Sequence, residues 1–256
     1  MNRNYFKLIV IICASQMIRL GIATAEPMPA SLVVTPKTVA VDTFFSGGKL
    51  SVSGDIPSAD DVIIEVTGKD SKNLFDLKGK MGPFWMTRGK VHIDNVPGLY
   101  ILLLPEGRDW GKKIKALGIG FSRLKSRMTT SGPQDIPPEI FKMFIKLKKF
   151  QSLYGELKDA VTYAPGSNDK KHFTAVLNLP SSIAQGDYTV RATTIANNDV
   201  GAVTTREFSV EEVGFIKFVN HMASDRRVLY GVSAVIIALL AGLIMGVVFK
   251  QSGGSH

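Results

Sequence analysis

Histidine and paired acidic side chains are the residues of this chain that could carry the widest range of chemistry. The four histidines are His92, His172, His221 and His256, and no two are four residues apart, the spacing that places two metal ligands on one helix face. Asp60 and Asp61 precede a predicted strand, where aspartate commonly bonds the backbone of a turn. We therefore expect no enzymatic activity, catalytic residue, metal site or cofactor. The alternative is a hydrolase in which His92 or His172 meets a carboxylate in a cleft.

Aromatic and basic side chains crowd into one short stretch, Lys80 to Pro105, with the sequence KMGPFWMTRGKVHIDNVPGLYILLLP. Phe84 and Trp85 follow a Gly-Pro pair, which is a turn signal, and we expect both to cover or fill the core. His92 lies between two apolar residues, so strand alternation directs it away from the core. The alternative is that Trp85, Arg88 and His92 lie at an exposed edge and contact a partner or a small anion.

A basic block follows, because residues 106–160 carry twelve Lys and Arg against six Asp and Glu. An apolar stripe at spacings of three and four predicts an amphipathic helix that includes Ile140, Met143, Leu147, Phe150, Tyr154 and Leu157. Lys142, Lys146 and Lys149 lie on another side of that helix. Three interpretations stay open: a solvated helix face packed on the domain, contact with anionic lipid head groups, and attraction of small oxyanions towards a neighbouring transporter.

Short alternating segments on both sides of the basic block predict β-strands, among them residues 49–52, 62–66, 172–179, 188–195 and 203–210. Turn residues such as DNVPG at 94–98 separate the segments. The triplet Gly186-Asp187-Tyr188 resembles the entry to a strand in immunoglobulin-like domains, where the tyrosine hydroxyl bonds back to the backbone. We predict a mainly β fold, an immunoglobulin-like β-sandwich over residues 26–214 with a helical basic insertion at about 107–158.

The first 25 residues are typical of a secretory signal peptide. Arg3 and Lys7 precede an apolar run, and Ala23-Thr24-Ala25 offers a cleavage site. Arg19 lies late in this segment, so an uncleaved anchor is the alternative. Cys13 is the only cysteine, and we therefore expect a mature domain without a disulfide that relies on its core.

Residues 228–249 form a run of 22 residues without a charge, long enough to cross a bilayer as a helix. A buried helix of a globular domain is the alternative interpretation. We expect residues 215–227 to link the domain to this span and residues 250–256 to form a cytoplasmic tail. Ala234, Ala238, Gly242 and Gly246 recur every four residues, which predicts a flat ridge for close packing of another helix, from a second copy or from a different membrane protein.

Several stretches resemble, in order, the motifs of a known family: FFSGGKLSVSGDIPSADDVIIEVTG, GPFWMTRGKV with VPGLY, IFKMFIKLKKFQSLY, LPSSIAQGDYTV and the ending VGFIKFVNHMASDRRVLYG. The family is the Alph_Pro_TM family of transmembrane proteins, first described from alphaproteobacteria. Met86-Thr87-Arg88 stand where that family has an apolar residue and an asparagine after the tryptophan, so no role of that asparagine carries over. The resemblance implies no established activity, and it implies a place beside anion permeases of the sulfite-exporter type.

Taken together, these features predict a single-span protein of the bacterial inner membrane with its bulk in the periplasm. We expect a non-enzymatic accessory or assembly subunit of another membrane protein, with membrane lipid as a further partner and no contact with nucleic acid. The alternative is an extracytoplasmic module that binds a small oxyanion or anionic lipid head groups. Its candidate contacts are Trp85, Arg88, His92, Lys142, Lys146 and Lys149.

Overall fold

The structure, a computed structural model, describes residues 30–107, 109–133, 136–166 and 169–252. The described residues form twelve strands: β1 (Val33–Thr35), β2 (Thr38–Val41), β3 (Gly48–Pro57), β4 (Asp61–Gly68), β5 (Asp70–Met81), β6 (Phe84–Pro97), β7 (Tyr100–Pro105), β8 (Thr129–Ser131), β9 (Tyr154–Pro165), β10 (Lys170–Leu179), β11 (Gly186–Ala196) and β12 (Asp199–Glu212). They also form five helices: α1 (Trp110–Ala116), α2 (Phe121–Arg127), α3 (Ile140–Phe150), α4 (Gly214–Asp225) and α5 (Arg227–Ser252).

Nine strands form one curled sheet in the order β1-β3-β10-β9-β7-β4-β11-β12-β2. The edge strand β1 contacts β12, and the Thr204 hydroxyl donates to the Ala30 carbonyl at 2.9 Å, so the sheet is a nearly closed barrel. The predicted mainly β class is confirmed. The two sheets of the predicted sandwich are instead one continuous sheet, because β9 pairs in parallel with β7 and antiparallel with β10 and thus joins the two halves.

The barrel interior is filled by the inward side chains of alternating strand residues. Leu50, Val52 and Ile56 of β3 follow this pattern, and Phe173 of β10 is fully buried. The tyrosine that opens β11 behaves as its sequence predicts, since the Tyr188 hydroxyl donates to the Ala184 carbonyl at 2.6 Å. The interior therefore follows directly from the period-two pattern of the sequence.

Three helices cover part of the outer face of the barrel. Trp110 and Ile114 of α1 pack on Leu102 and Leu104 of β7, while Phe144 and Ile145 of α3 pack in a second cluster. The predicted helix through residue 157 is wrong at its end: α3 stops at residue 150, Ser152 adopts a φ of 58°, and Tyr154 begins β9. The apolar spacing alone could not distinguish the end of the helix from the start of this strand.

Strands β5 and β6 form a long hairpin, and β8 completes a small second sheet with it. The sequence predicts short separate runs here, with a turn at residues 94–98. The structure places residues 94–97 inside β6, where Asn95 has a φ of 60° beside an irregularity in the pairing with β5. A local distortion of the strand therefore accounts for the turn-like sequence.

Helices α4 and α5 follow the last strand and are separated by a break at Arg226. In α5, residues Arg227–Val247 have a mean hydropathy of 2.5, and none of the most apolar window is buried. This exposure contradicts a buried globular helix and agrees with a helix that spans a membrane. The predicted signal peptide at residues 1–25 and the end of the predicted tail, residues 253–256, lie outside the described residues.

Candidate functional site

The tip of the β5–β6 hairpin exposes large apolar side chains. Phe84 and Trp85 are 68% and 73% exposed, and Met81 and Met86 are also exposed. Gly82 takes a φ of 62°, as the first central residue of a tight two-residue hairpin turn with Pro83 requires. The expectation that Phe84 and Trp85 fill the core is wrong, because the hairpin carries them to its turn and leaves both exposed, while Val91 and Ile93 nearer its base are buried.

Helix α3 adds apolar groups beside this hairpin. One side of α3 is buried, whereas Met143 and Leu147 are exposed and Phe150 is 88% exposed. A groove of about 420 Å³ runs between hairpin and helix, and its apolar lining includes Phe75, Leu77, Trp85, Ile140, Met143 and Leu147. We call the hairpin residues 77–90 together with helix α3 the hairpin–helix surface.

This surface is strongly cationic. Residues 77–90 contain four Lys and Arg, residues 140–150 contain four Lys, and neither segment contains Asp or Glu. Lys142 and Lys146 are exposed, and the Lys149 ammonium lies 4.6 Å from the centroid of the Phe121 ring. Lys148 is the exception, since its side chain is mostly buried and burial lowers its pKa. Exposed apolar groups and a dense set of basic side chains thus occupy the same two elements.

The predicted contact residues divide between the groove and its surroundings. Trp85 lines the groove, whereas Arg88 is the extra residue of an irregularity in the β5–β6 pairing. His92 is exposed on β6, pairs in register with Ser131 of β8, and does not line the groove. Lys142, Lys146 and Lys149 are all exposed on α3. The structure therefore brings Trp85 and the α3 helix together, with His92 farther along the strand.

The hydrolase alternative requires a histidine between a serine and an acid. His172 does lie near a carboxylate, since its Nδ1 is 2.9 Å from Asp55 Oδ1, and the Ser31 hydroxyl donates to the other oxygen at 3.1 Å. The order is therefore serine, acid, histidine, with the acid in the middle and all three at an exposed barrel edge. The hydrogen bond from His172 lowers the pKa of Asp55, and this arrangement gives the serine no base.

A buried ionic cluster was missed by the reasoning from sequence. Glu65 is only 5% exposed, accepts a hydrogen bond from the Tyr100 hydroxyl at 2.5 Å, and lies 3.7 Å from Arg123 of α2. Arg191 stands directly opposite Glu65 in the β4–β11 register, and all four residues line a small cleft of about 110 Å³. Burial, and next the Glu65 carboxylate, raise the pKa of Tyr100.

The signal for this cluster was present in the sequence. Residues 62–66 read VIIEV, a run that is apolar on both faces of its strand and therefore typical of a strand covered on both sides. An acid in the middle of such a run must be buried and needs a donor. The ion pair with Arg123 ties α2 to the barrel, so we assign the cluster a role in positioning that helix.

The predicted ridge on α5 is open along its length. Ala234, Ala238, Gly242 and Gly246 are all exposed, and a Cβ placed on either glycine would meet no atom within 4 Å. Within the described ranges, no group of three or more His, Cys, Asp or Glu side chains could hold a metal ion.

A mainly β domain followed by one exposed helix that is long and apolar enough to cross a bilayer is typical of a single-span membrane protein. A family model matches residues 31–251, which is most of the chain. The protein belongs to this family, which is described as "Putative transmembrane protein (Alph_Pro_TM)". Comparison with curated proteins finds no match.

Proposed function

We propose that this protein is a non-enzymatic accessory or assembly subunit, anchored by α5, that docks on another membrane protein. The observation that carries the proposal is the small-residue ridge on an apolar helix whose most apolar window has no buried residue. Small residues every four positions let two helix backbones approach closely and gain dispersion contacts that lipid tails do not supply. The partner helix belongs to a second copy of this chain or to a different membrane protein.

The proposed location is the bacterial inner membrane, with the barrel in the periplasm and residues 250–256 in the cytoplasm. The signal-like sequence at residues 1–25 supports export of the domain, and the 26-residue helix α5 supports one span. The Tyr188 hydroxyl bond supports a likeness between the start of β11 and the corresponding strand entry of immunoglobulin-like domains, within a barrel rather than a two-sheet sandwich. The resemblance of the chain to its family supports an anion permease of the sulfite-exporter type as the partner.

The ridge is tested by purification in mild detergent and mass spectrometry of the proteins that co-elute. Gly242→Leu and Gly246→Leu each add bulk to the ridge. Ser233→Leu is the matched control, because nine residues from Gly242 is two and a half helical turns and places the same bulk on the opposite face. We expect the partner to be lost with both glycine variants and retained with the control. Retention of every partner in both glycine variants would contradict docking through the ridge.

A second function is favoured by the hairpin–helix surface, on which Lys78, Lys80, Lys142 and Lys146 are all exposed. We propose that the extracytoplasmic domain binds an anionic ligand there, either a lipid head group or a small oxyanion. Such a field attracts anions without a shaped pocket and weakens as salt increases. Isothermal titration calorimetry with sulfate, sulfite or phosphate tests oxyanion binding. We expect a measurable heat of binding that decreases as the salt concentration rises.

A further inference from the structure

The hairpin–helix surface combines two properties that a lipid interface recognises. We propose that it is a second membrane contact, in which the aromatic and methionine side chains of the hairpin tip enter the interfacial layer of an anionic bilayer while the lysines around them bind lipid phosphates. This inference rests on the second proposed function and chooses the lipid as its ligand. It gives the barrel two attachments to the membrane, the α5 span and this surface.

The tip of the hairpin is apolar and exposed. Phe84, Trp85, Met81 and Met86 follow one another around a single turn, and all four are exposed. Tryptophan and other aromatic rings are enriched at the depth of lipid head groups, where an apolar ring meets a polar layer. The adjacent groove beside α3 continues this apolar surface away from the tip, through Met143 and Leu147.

The hairpin–helix surface also carries a dense set of positive charges. Lys78, Lys80, Arg88 and Lys90 flank the tip, and Lys142 and Lys146 are exposed on α3. Residues 77–90 and 140–150 contain no Asp or Glu of their own, and Asp76, opposite Lys90 in the β5–β6 register, is an acid beside them. A patch of clustered lysines beside exposed aromatic rings matches an anionic lipid surface better than a protein surface, because protein interface cores are depleted in lysine.

The base of the hairpin lies at the end of the barrel from which α4 and then α5 depart. Gly68 at the end of β4 pairs with Tyr188 near the start of β11, and Gly186 pairs with Val210 near the end of β12. The hairpin begins at Asp70 and α4 begins at Gly214, so both leave the same end of the barrel. Lys69 and Lys217 line one shared groove there.

Because α5 tethers the domain to the bilayer, a weak contact between the hairpin–helix surface and lipid is enough to hold the domain there. A domain tethered to a bilayer meets lipid head groups at a high effective concentration, so a few lysines and two aromatic rings can hold it without high intrinsic affinity. Exposed α4 residues Phe215 and Phe218 lie between the two attachments along the chain and have the same chemistry.

The test uses tryptophan fluorescence of the full-length protein reconstituted into liposomes with brominated acyl chains, which quench tryptophan near the interface. The chain has two tryptophans, the exposed Trp85 and the buried Trp110. The difference between the wild type and Trp85→Phe isolates Trp85, and this variant leaves the folded core untouched. We expect quenching of Trp85 in phosphatidylglycerol vesicles, and a loss of most of that quenching in phosphatidylcholine vesicles and at high salt.

A charge-matched pair of variants sharpens the result. The double variant Lys142→Gln/Lys146→Gln should lose quenching of Trp85 in phosphatidylglycerol, whereas Lys49→Gln/Lys170→Gln, which removes two exposed lysines from barrel strands, should retain it. Equal quenching in the wild type and Trp85→Phe, or quenching that ignores lipid charge, would overturn the proposal. Binding of free phosphate with no quenching would leave the oxyanion function standing and remove only the lipid. The ridge on α5 is judged separately, by co-elution.

Discussion

The barrel interior and the hairpin–helix surface contain the same kinds of apolar residues. In the interior these residues are buried, whereas on the surface they are exposed. Phe173 and Leu50 are fully buried, whereas Phe84 and Phe150 are 68% and 88% exposed. The strands of the interior and helix α3 of the surface both show the apolar periodicity of their element. The comparison shows that periodicity specifies which face is apolar, while the other elements of the fold decide whether that face is covered.

The largest expected effect comes from breaking the covered region. Phe173→Ala removes a fully buried ring from the barrel interior, and we expect it to lower the free energy of unfolding by about 3–5 kcal/mol. Urea denaturation followed by circular dichroism measures this change. A loss below ~1 kcal/mol would show that the interior is loosely packed and that the contrast between the two regions is false.

An intermediate effect is expected at the buried ionic cluster. Tyr100→Phe keeps the ring but removes the hydroxyl that donates to Glu65, leaving a buried carboxylate with one donor fewer. We expect a loss of about 1–3 kcal/mol in the free energy of unfolding at neutral pH. An unchanged midpoint of urea denaturation would indicate that water or an arginine replaces the hydroxyl at no cost.

The same tyrosine predicts a loss of stability in alkali. Burial raises the pKa of Tyr100 above that of an unfolded tyrosine, and it also raises the pKa of Tyr154. A group whose pKa is raised in the folded state contributes its stability fully below the unfolded pKa of about 10 and loses it as the pH rises further. We therefore expect the advantage of the wild type over Tyr100→Phe to shrink above that pH, as measured by denaturation at a series of pH values. An advantage that grows with pH would contradict the burial.

The smallest effect on stability is expected at the exposed region. Phe84→Ala removes a ring with few neighbours, so the free energy of unfolding should change by less than ~0.5 kcal/mol. The same variant should nevertheless reduce quenching of Trp85 by brominated lipid, because the neighbouring ring no longer holds the tip in the interface. A large destabilisation would show that the tip packs on the domain. The difference in burial between the barrel interior and the hairpin–helix surface would then be wrong.

The parts of the fold that sequence predicts well are those with an unambiguous period. Leu50 and Val52 of β3 alternate as buried strand residues do. The helix at residues 228–249, long and apolar enough to cross a bilayer, is predicted from length and hydropathy alone. For these segments, the conformation that the local sequence favours is also the one found in the folded protein.

The features that sequence did not reveal depend on long-range pairing. The spacing of Leu147, Phe150 and Tyr154 fits a helix, yet Tyr154 joins a strand because β7 offers it a parallel partner. The local sequence predicts Trp85 in the core, because the exposure of this ring depends on which distant elements pack against the hairpin. The cluster around Glu65 draws on three strands and a helix, which no single stretch of sequence brings together.

The central claim is that the barrel lies outside the cytoplasm on a helix that crosses the membrane, and cysteine labelling tests it directly. Thr205→Cys places a thiol on an exposed residue of β12, in a Cys13→Ser background that removes the only native cysteine. We expect a membrane-impermeant maleimide to label this thiol in intact spheroplasts as fully as after detergent lysis. Labelling that appears only after lysis would place the barrel in the cytoplasm and contradict the claim.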